Sequence, residues 1–468
     1  MRTALWSLLL CSLALPVAGQ TASFILGADV SFLEEVEAGD GVFTVDALPA
    51  DPLDILASNG FGAIRLRVWH TPPDGRNTLE ETLATAARAR EAGLDLLLDL
   101  HYSDTWADPG KQFVPTAWAG QSFDALRDSV RAYTFSVVDA LARQNTLPDI
   151  VQLGNEIICG MLWDAGRVCN AFNTGTQWEQ LASLLSAARE GALEAVPAGD
   201  SLRIMIHIDR GADNAGSRWF FDQLMAEDIA FDLIGLSYYP WWHGSLDDLS
   251  RNLTDLAGRY GKDIVVVETG YPWTLAWNDT VNNLVGDPTQ LLPGYPATVA
   301  GQEAFFRELH RRVKATPANR GIGVFLWEPL AISGPSFGSV MENLALFNFA
   351  GEVLASMRAF APESTTGVTS ESEPVAGAID VYPTPFHTTV EIVYEGKNAR
   401  GTLQPMHAHI LDSLGRSVVS LGPGRSSGDG VRWQWDGQDG AGRRMPAGLY
   451  FCAIEAPEGS VFARIVRQ

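Results

Sequence analysis

Short apolar segments alternate eight times with longer amphipathic segments along most of the chain. The apolar segments are rich in β-branched residues and predict strands at 24–30, 63–69, 95–102, 149–156, 203–209, 232–238, 263–270 and 321–327. Helical spacing is clearest between them at 79–92, 123–143, 178–195 and 300–313. Eight strand-then-helix units are typical of a closed parallel (β/α)8 TIM barrel, of the α/β class, rather than of an open sheet.

The composition changes after a last helix that we predict near residues 351–361. Residues 362–377 are rich in Ser, Thr, Glu and Pro, which is typical of a linker. Residues 378–468 show short alternating strands separated by turn signals such as the Gly428-Asp429-Gly430 run, which predicts a small all-β sandwich. We therefore divide the chain into an N-terminal segment 1–19, a barrel 20–361, a linker 362–377 and a sandwich 378–468.

Residues 1–19 have the pattern of an export signal, with Arg2, an apolar run at 4–15 and small residues at a cleavage site. The apolar run is too short to span a bilayer comfortably. We expect a secreted protein, extracellular or at the cell surface, that does not insert into a membrane and acts as a monomer.

The net charge of −23 excludes some partners. Such a surface repels phosphate backbones and anionic membranes, so we expect no nucleic-acid partner. A neutral glycan is compatible with this charge.

Polar and aromatic side chains stand at the ends of all the predicted strands. They are Asp29, Arg67, Trp69, His101, Asn155, Glu156, His207, Asp209, Tyr238, Glu268, Trp327 and Glu328. In TIM barrels the C-terminal strand ends form the rim of the active site. A structural hydrogen bond can explain one such residue, but the full set predicts an active site.

Two of these residues, Glu156 and Glu268, have the chemistry of a retaining glycosidase. That reaction needs one carboxyl group to attack the anomeric carbon and another to protonate the leaving oxygen. Glu156 ends the fourth predicted strand after Asn155, and Glu268 lies in the seventh. An acid on strand 4 and a nucleophile on strand 7 resemble the arrangement of a large clan of barrel glycosidases.

Several motifs in barrel order make the resemblance specific. They are GADVS at 27–31, RLRVW at 65–69, HYSDTWADP at 101–109, GNEI at 154–157, GMLW at 160–163, SYYPWW at 237–242, ETGYPW at 268–273 and WEP at 327–329. In these motifs the chain resembles glycoside hydrolase family 53, the endo-β-1,4-galactanases that degrade type I arabinogalactan. The resemblance covers residues 24 to about 360.

The resemblance implies retaining hydrolysis of galactan, with Glu156 as acid/base and Glu268 as nucleophile. It places Arg67 beside the nucleophile, where a cation favours the ionised form. The side chains that it implies for substrate binding are Asp29, Arg67, His101, Asp104, Trp106, Asn155, Trp163, His207, Tyr238, Trp241 and Trp327. Of these, His101, Asn155 and Tyr238 are expected at the sugar that is attacked, and the tryptophans are expected to stack on sugar faces.

The resemblance also raises the question of calcium, because bacterial members of the family often hold this ion in the loop after strand 7. Here the loop at 275–283 contains a single carboxylate, Asp279. The usual acidic cluster is not matched, so we expect no metal and no cofactor.

After removal of the signal, Cys159, Cys169 and Cys452 remain, which is neither a disulfide framework nor a zinc pattern. Cys159 and Cys169 are placed to pair in an oxidising compartment and close a short loop after Glu156, and the sequence leaves open whether they do so.

The C-terminal region resembles the small immunoglobulin-like domains of bacterial exported enzymes, several of which are type IX secretion sorting domains. The matching segments are VYPTPF at 381–386, DSLGR at 412–416, WDGQDG at 435–440 and PAGLY at 446–450. The resemblance implies that this domain engages a secretion or surface-attachment system.

Two other functions are compatible with parts of the pattern. A barrel glycosidase acting on another β-1,4-glycan, such as mannan, glucan or xylan, would have the same two glutamates. A non-catalytic glycan-binding barrel would keep the tryptophans, but the presence of both glutamates and Asn155 argues against it.

Overall fold

The computed structural model describes residues 24–361, 377–382, 386–396, 407–412, 417–427, 430–456 and 459–467. The chain divides into two compact units, residues 1–363 and 364–468. The predicted export signal and almost all of the predicted linker lie outside the described residues.

The first unit is a closed barrel of eight parallel strands. Each strand pairs with its neighbours in the sequence, and the first strand pairs with the last to close the barrel. The strands are β1 Ile25–Asp29, β2 Ala63–Val68, β3 Asp95–Leu100, β4 Ile150–Leu153, β5 Arg203–Ile208, β6 Leu233–Ser237, β7 Asp263–Glu268 and β8 Gly321–Trp327. The predicted fold and all eight predicted strands are confirmed.

Helices follow the strands and cover the outside of the barrel. They are α1 Leu33–Ala38, α2 Pro52–Ser58, α3 Leu79–Glu91, α4 Phe123–Arg143, α5 Gly175–Glu194, α6 Asn214–Ala226, α7 Pro240–His243, α8 Leu246–Tyr260 and α9 Val299–Lys314. Thr78, Ser122, Thr174 and Thr298 cap α3, α4, α5 and α9 by accepting a hydrogen bond from a backbone N–H of the first turn. The helix predicted near 351–361 is instead a short 3-10 helix, Ala355–Ala359.

The alternation of side chains along each strand separates an outer apolar layer from the barrel interior. On β2, Ile64 and Leu66 pack outward in the helix-facing core, while Ala63 belongs to a smaller apolar cluster inside the barrel. By the two-residue period of a strand, Arg65 and Arg67 also point inward. The interior is therefore apolar at the N-terminal end of the strands and charged toward their C-terminal ends.

One glycine allows the interior to be filled. A Cβ atom at Gly27 of β1 would lie 2.2 Å from the ring of Phe325, so no larger residue fits beside this ring. Phe325 closes the apolar end of the barrel together with residues such as Leu97, Met205 and Leu233. This packed floor supports the polar end from below.

The described strands of the second unit are β9 Gly377–Tyr382, β10 Val390–Gly396, β11 His407–Asp412, β12 Ser417–Pro423, β13 Arg425–Ser427, β14 Gly430–Trp435, β15 Gly448–Ala456 and β16 Gly459–Arg467. They form two four-stranded antiparallel sheets, ordered β9-β10-β14-β13 and β12-β11-β15-β16. Trp433 and Trp435 are buried in a core shared with Tyr450 and Ile465 of the other sheet. The predicted sandwich is confirmed.

No helix in the described part of the chain is long and apolar enough to cross a membrane.

Candidate active site

A cavity of about 590 Å³ opens at the C-terminal ends of the barrel strands. Six aromatic side chains line it: Phe32, Trp106, Tyr239, Trp242, Trp327 and Phe337. Its polar walls include Arg65, Arg67, His101, Asn155, Glu156 and Glu268. A cleft with aromatic walls and a few convergent polar groups is typical of a site that binds a sugar chain.

Glu156 and Glu268 meet in this cavity and share one hydroxyl group. The Oγ atom of Ser237 lies 2.6 Å from Glu156 Oε1 and 3.5 Å from Glu268 Oε2, so these two carboxylate oxygens are no more than about 6 Å apart. The hydroxyl of Tyr239 also donates a hydrogen bond to Glu268 Oε2, at 3.2 Å. Retaining glycosidases place their two carboxyl groups about 5–5.5 Å apart, whereas inverting enzymes need about 6.5–9.5 Å, so this short separation is consistent with retention.

The backbone turns sharply where Glu156 leaves β4. Glu156 has φ of +49° and ψ of +48°, a left-handed conformation that is uncommon for residues other than glycine. It is followed at once by the 3-10 helix Ile157–Cys159. Such backbone strain is concentrated at functional sites, and here it carries the carboxyl group from the strand end into the cavity.

Arg65 is the central cation at the floor of the cavity. Its guanidinium lies 2.6 Å from Asp29, 2.8 Å from Asp99 and 2.9 Å from Glu268, and it also donates to Asn155 Oδ1 at 2.9 Å. Asp29, Asp99 and Arg65 are almost completely buried. One cation therefore holds three carboxylates, including that of Glu268.

The prediction that Arg67 sits beside Glu268 is wrong, because Arg65 occupies that position. Both arginines face the interior from β2, but Arg67 lies two residues, about 6.6 Å, nearer the strand end. Its guanidinium is paired with Glu328 at 2.7 Å and lies 4.4 and 4.3 Å from the ring centroids of Phe32 and Trp106. Arg67 lines the cavity one layer above the nucleophile candidate.

Burial and charge distinguish the two glutamates. Burial, followed by the negative charges of Glu268 and Asp209, raises the pKa of Glu156 well above its usual value. Burial also raises the pKa of Glu268, to about 7, but Arg65 opposes this rise more strongly than any other charge. Because Arg65 contacts Glu268 directly, we infer that Glu268 ionises first while Glu156 keeps its proton.

Two buried histidines, His101 and His207, hold the polar groups around the two glutamates in place. His101 Nε2 lies 2.9 Å from Asp99, and the indole N–H of Trp69 donates to His101 Nδ1 at 3.1 Å. His207 Nε2 lies 2.9 Å from the Ser237 hydroxyl that bonds Glu156, and burial keeps the pKa of His207 well below its usual value. His207 is therefore neutral and orients Ser237.

The predicted substrate-binding residues fall into three groups. Those that line the cavity are Arg67, His101, Trp106, Asn155 and Trp327. Those that are buried beneath it and bonded to its polar groups are Asp29 and His207. Those that do not reach its wall are Asp104, Trp163, Tyr238 and Trp241.

The predictions for Tyr238 and Trp241 are each wrong by one residue, because the next residue in the sequence lines the cavity instead. Tyr238 is fully buried among the apolar residues that face the helices, and its hydroxyl donates to Gly244 O at 3.0 Å. Tyr239, on the opposite face of the chain, is the tyrosine at Glu268. Trp241 packs against an apolar cluster of the loops, and Trp242 lines the cavity instead.

Asp104 and Trp163 brace loops around the cavity. The carboxylate of Asp104 accepts hydrogen bonds from the backbone N–H groups of Thr71 and Thr116, at 3.0 and 2.8 Å. The indole of Trp163 donates to Cys159 O at 3.0 Å and stacks on Arg167. Their contacts support the shape of the site and do not reach its interior.

Sequence reasoning misses several side chains of the site besides Trp242, among them Arg65, Asp99, Gln152, Ser237 and Tyr239. Arg65, Ser237 and Tyr239 lie inside the motifs at 65–69 and 237–242, so the sequence indicates these segments but not the role of each residue. Gln152 donates to Asp99 Oδ1 at 2.7 Å and accepts from Arg65, and only the inward period of β4 could have indicated it.

The disulfide question is settled by the structure, in which Cys159 and Cys169 are bonded. The bond closes the loop 159–169, which begins shortly after Glu156. Within the described residues Cys452 is free and buried in the sandwich core.

Replacing Arg65 by glutamine is expected to lower the free energy of unfolding by about 3–5 kcal/mol, because buried carboxylates lose their cation. Although burial acts to raise the pKa of Asp99, Arg65 and His101 hold it below its usual value in the wild type. In the variant the pKa rises, so the lost stability should be partly recovered as the pH falls and the carboxylates are protonated. Urea unfolding at pH 5 and pH 7 measures this.

The matched control is Arg307→Gln, which removes an exposed ion pair with Glu303 and should change stability little at either pH. Equal losses at pH 5 and pH 7 for Arg65→Gln would contradict the electrostatic account of this cluster.

Comparisons of this chain with known proteins agree on one family. The model of glycosyl hydrolase family 53 matches residues 25–360. An uncharacterised protein from Niallia circulans, encoded in the region 5′ of bgaB, is 46% identical over 75% of this chain and 96% of its own length. An arabinogalactan endo-β-1,4-galactanase from Cellvibrio japonicus is 32% identical over 73% of this chain and 91% of its own.

A solved structure also resembles the barrel. The family 53 catalytic domain of Ignisphaera aggregans superposes with a TM-score of 0.68 and 35% identity, covering 74% of this chain and 98% of that domain.

Proposed function

Because the chain belongs to glycosyl hydrolase family 53, we propose that it cleaves β-1,4-galactosidic linkages within the galactan chains of type I arabinogalactan, with retention of configuration. The observation that carries this proposal is the pair Glu156 and Glu268, which share the Ser237 hydroxyl while Arg65 contacts Glu268. This pairing supports a proton donor beside an ionised nucleophile.

In the first step a carboxylate oxygen of Glu268 attacks the anomeric carbon as the bond to the leaving oxygen breaks. Glu156 transfers its proton to that oxygen, and the shortened galactan leaves with a free hydroxyl group. In the second step Glu156, now ionised, takes a proton from water while the water oxygen attacks the same carbon and releases Glu268. Two displacements restore the original configuration.

Arg65 and Tyr239 have supporting roles at the nucleophile. Arg65 lowers the energy of the ionised form of Glu268, which must be present before attack. Burial and the charge of Glu268 hold the pKa of Tyr239 well above its usual value, so its hydroxyl remains a hydrogen-bond donor to Glu268. Asn155 lines the cavity, and we expect it to bind the sugar that is attacked. Both ring nitrogens of His101 are engaged, by Asp99 and by Trp69, so His101 supports the site by holding Asp99.

The release of reducing ends from potato or lupin galactan tests this function. Initial rates on galactan should exceed those on mannan, cellulose and xylan at equal concentration. Faster release from one of these other glycans would reassign the substrate, and no release from any glycan would favour a non-catalytic barrel.

We propose that the reaction needs no metal ion, since the two carboxyl groups supply both the nucleophile and the proton. Asp279, the carboxylate of the loop at 275–283, accepts hydrogen bonds from the backbone N–H groups of Val281 and Ser339 at 2.6 and 2.7 Å. Dialysis against a chelator should leave kcat on galactan unchanged. A loss that added calcium restores would contradict this proposal.

We propose that the protein is secreted and that its C-terminal sandwich serves export or surface attachment. The apolar run at 4–15 and the Cys159–Cys169 disulfide support an oxidising destination. The apolar core of the barrel is built from residues up to Phe360, and that of the sandwich from residues beginning at Phe386.

Deleting the residues from 365 onward is expected to leave kcat/KM on soluble galactan within about twofold of the full chain, because each unit has its own core. The deletion should change where the protein accumulates in its host. If the truncated barrel were unfolded or inactive, the proposal that the barrel alone carries catalysis would be contradicted.

A further inference from the structure

Two long loops stand beside each other at the cavity, and one of them forms part of its wall. The β7 loop, residues 269–298, follows β7, and the β8 loop, residues 328–354, follows β8. Five consecutive residues of the β8 loop line the cavity, namely Phe337, Gly338, Ser339, Val340 and Met341. The position of this wall segment, 337–341, therefore shapes the cavity on this side.

Asp279 and Glu342 join the two loops by reciprocal hydrogen bonds. Asp279 of the β7 loop accepts from the backbone N–H of Ser339 at 2.7 Å. Glu342 of the β8 loop accepts from the backbone N–H of Asn278 at 2.6 Å. The other oxygen of each carboxylate accepts from a donor of its own loop. All four carboxylate oxygens are thus engaged, and we call these two residues the interloop pair.

The hydrogen bonds of the interloop pair are shielded from water. Glu342 is 1% exposed and Ser339 is 3% exposed. A charged acceptor makes a stronger hydrogen bond than a neutral one, and a buried N–H that loses its acceptor bears the cost of its own desolvation. Loss of either carboxylate should therefore loosen the contact between the two loops.

Other contacts brace the part of the β7 loop that lies closest to Glu268 in the sequence. The side-chain amide of Asn343 donates to Thr274 O at 2.9 Å, and the backbone N–H of Trp273 donates to Asn343 O at 2.9 Å. These contacts do not involve the interloop pair. Its loss should therefore loosen the wall segment and leave the nucleophile in place.

The β7 loop is also where the family resemblance raises the question of calcium, and its residues do not fit that ion. Calcium takes about six to eight oxygen ligands. In the described ranges no three His, Cys, Asp or Glu side chains are grouped to hold a metal. Each oxygen of Asp279 accepts a backbone N–H, which places a partly positive hydrogen where a cation would stand. N–H donors thus satisfy this carboxylate in place of an ion.

We propose that Asp279 and Glu342 are positioning residues that fix the wall segment without a metal ion, and that they strengthen galactan binding without changing the rate of the chemical steps. This inference rests on the proposed function. The wall segment contributes no group to the reaction, so its order affects the bound substrate and the transition state alike. A loosened wall must be ordered again by each substrate chain, which raises KM.

Asp279→Ala tests the residue that contacts the wall segment directly. Hydrogen exchange of the wall segment, followed by mass spectrometry, should become about tenfold faster because the N–H of Ser339 loses its acceptor. The backbone N–H of Leu284 still donates to Val340 O at 2.9 Å, so the loosening is partial. KM on galactan should rise about fivefold, while kcat should stay within about twofold of the wild type. Added calcium should restore neither the exchange rate nor KM.

The second carboxylate provides a conservative variant. Glu342→Ala should reproduce both changes, whereas Glu342→Gln keeps an amide oxygen for the N–H of Asn278 and should hold KM within about twofold of the wild type. The matched control is Asp287→Ala. Asp287 is a carboxylate of the β7 loop that bonds Thr289 within the same loop, so its loss should change neither exchange of the wall segment nor KM.

Unchanged hydrogen exchange of the wall segment in Asp279→Ala would overturn the proposal, since the wall would then be held without the interloop pair. A fall in kcat with unchanged KM would overturn it as well. A chelator that raises KM of the wild type would show that an ion holds the wall. No cleavage of galactan by the wild type would instead contradict the proposed function, and the exchange measurement, which needs no substrate, would still decide whether the pair holds the wall.

Discussion

Replacing Glu268 by glutamine is expected to lower kcat on galactan by a factor on the order of 10⁵, because a neutral amide cannot form the glycosyl-enzyme intermediate. The side chain keeps its shape, and Arg65 and Tyr239 remain beside it, so the loss reports chemistry rather than misfolding. Steady-state rates on galactan, with circular dichroism to verify the fold, measure this effect.

Labelling identifies the nucleophile independently. A 2-deoxy-2-fluoro-galactobioside with a good leaving group should accumulate on the wild-type protein as an ester of Glu268, and peptide mass spectrometry should locate it. The control Glu352→Gln changes a carboxylate bonded to Thr44, outside the cavity, and should be labelled at the wild-type rate. A label on any other residue would remove Glu268 from this role.

Replacing Glu156 by glutamine is expected to lower kcat/KM on galactan by about 10²–10⁴-fold, because the leaving oxygen loses its proton donor. A substrate whose leaving group needs no proton, such as dinitrophenyl β-galactobioside, should show a far smaller loss of kcat/KM. The ratio of the two losses separates acid catalysis from general damage to the site.

The pH dependence of the same variant provides a second readout. Glu156 acts in its protonated form, and burial with the charge of Glu268 raises its pKa, so kcat/KM of the wild type should fall as the pH rises through that pKa. Glutamine has no proton to lose, and the alkaline limb should disappear in the variant. An alkaline limb that persists unchanged would assign the acid to another residue.

The fold could be predicted because its signal is periodic. Each barrel strand corresponds to a short apolar run in the sequence. The amphipathic segments between these runs are long enough for their helical periodicity to be recognised. Strand ends were less accurate, since the fourth strand was predicted to reach residue 156 but ends at Leu153. The polar residues that follow it turn sharply, as the positive φ of Glu156 illustrates, and no propensity encodes that turn.

The site could be predicted at the level of motifs and less well at the level of single residues. Arg65 and Arg67 have the same type and face the same side of β2, so only the depth of each within the barrel decides which one meets Glu268. Tyr238 and Tyr239 are adjacent and face opposite sides. Leu233 marks the inward face of β6, and counting in twos from it would have selected Ser237 and Tyr239.

Following galactan hydrolysis by proton NMR from the first turnovers tests the central claim most directly. If Glu268 attacks and water then displaces it with the help of Glu156, the new reducing ends appear first as the β-anomer and only later equilibrate by mutarotation. First appearance of the α-anomer would contradict the retaining mechanism and the pairing of Glu156 with Glu268 on which it depends.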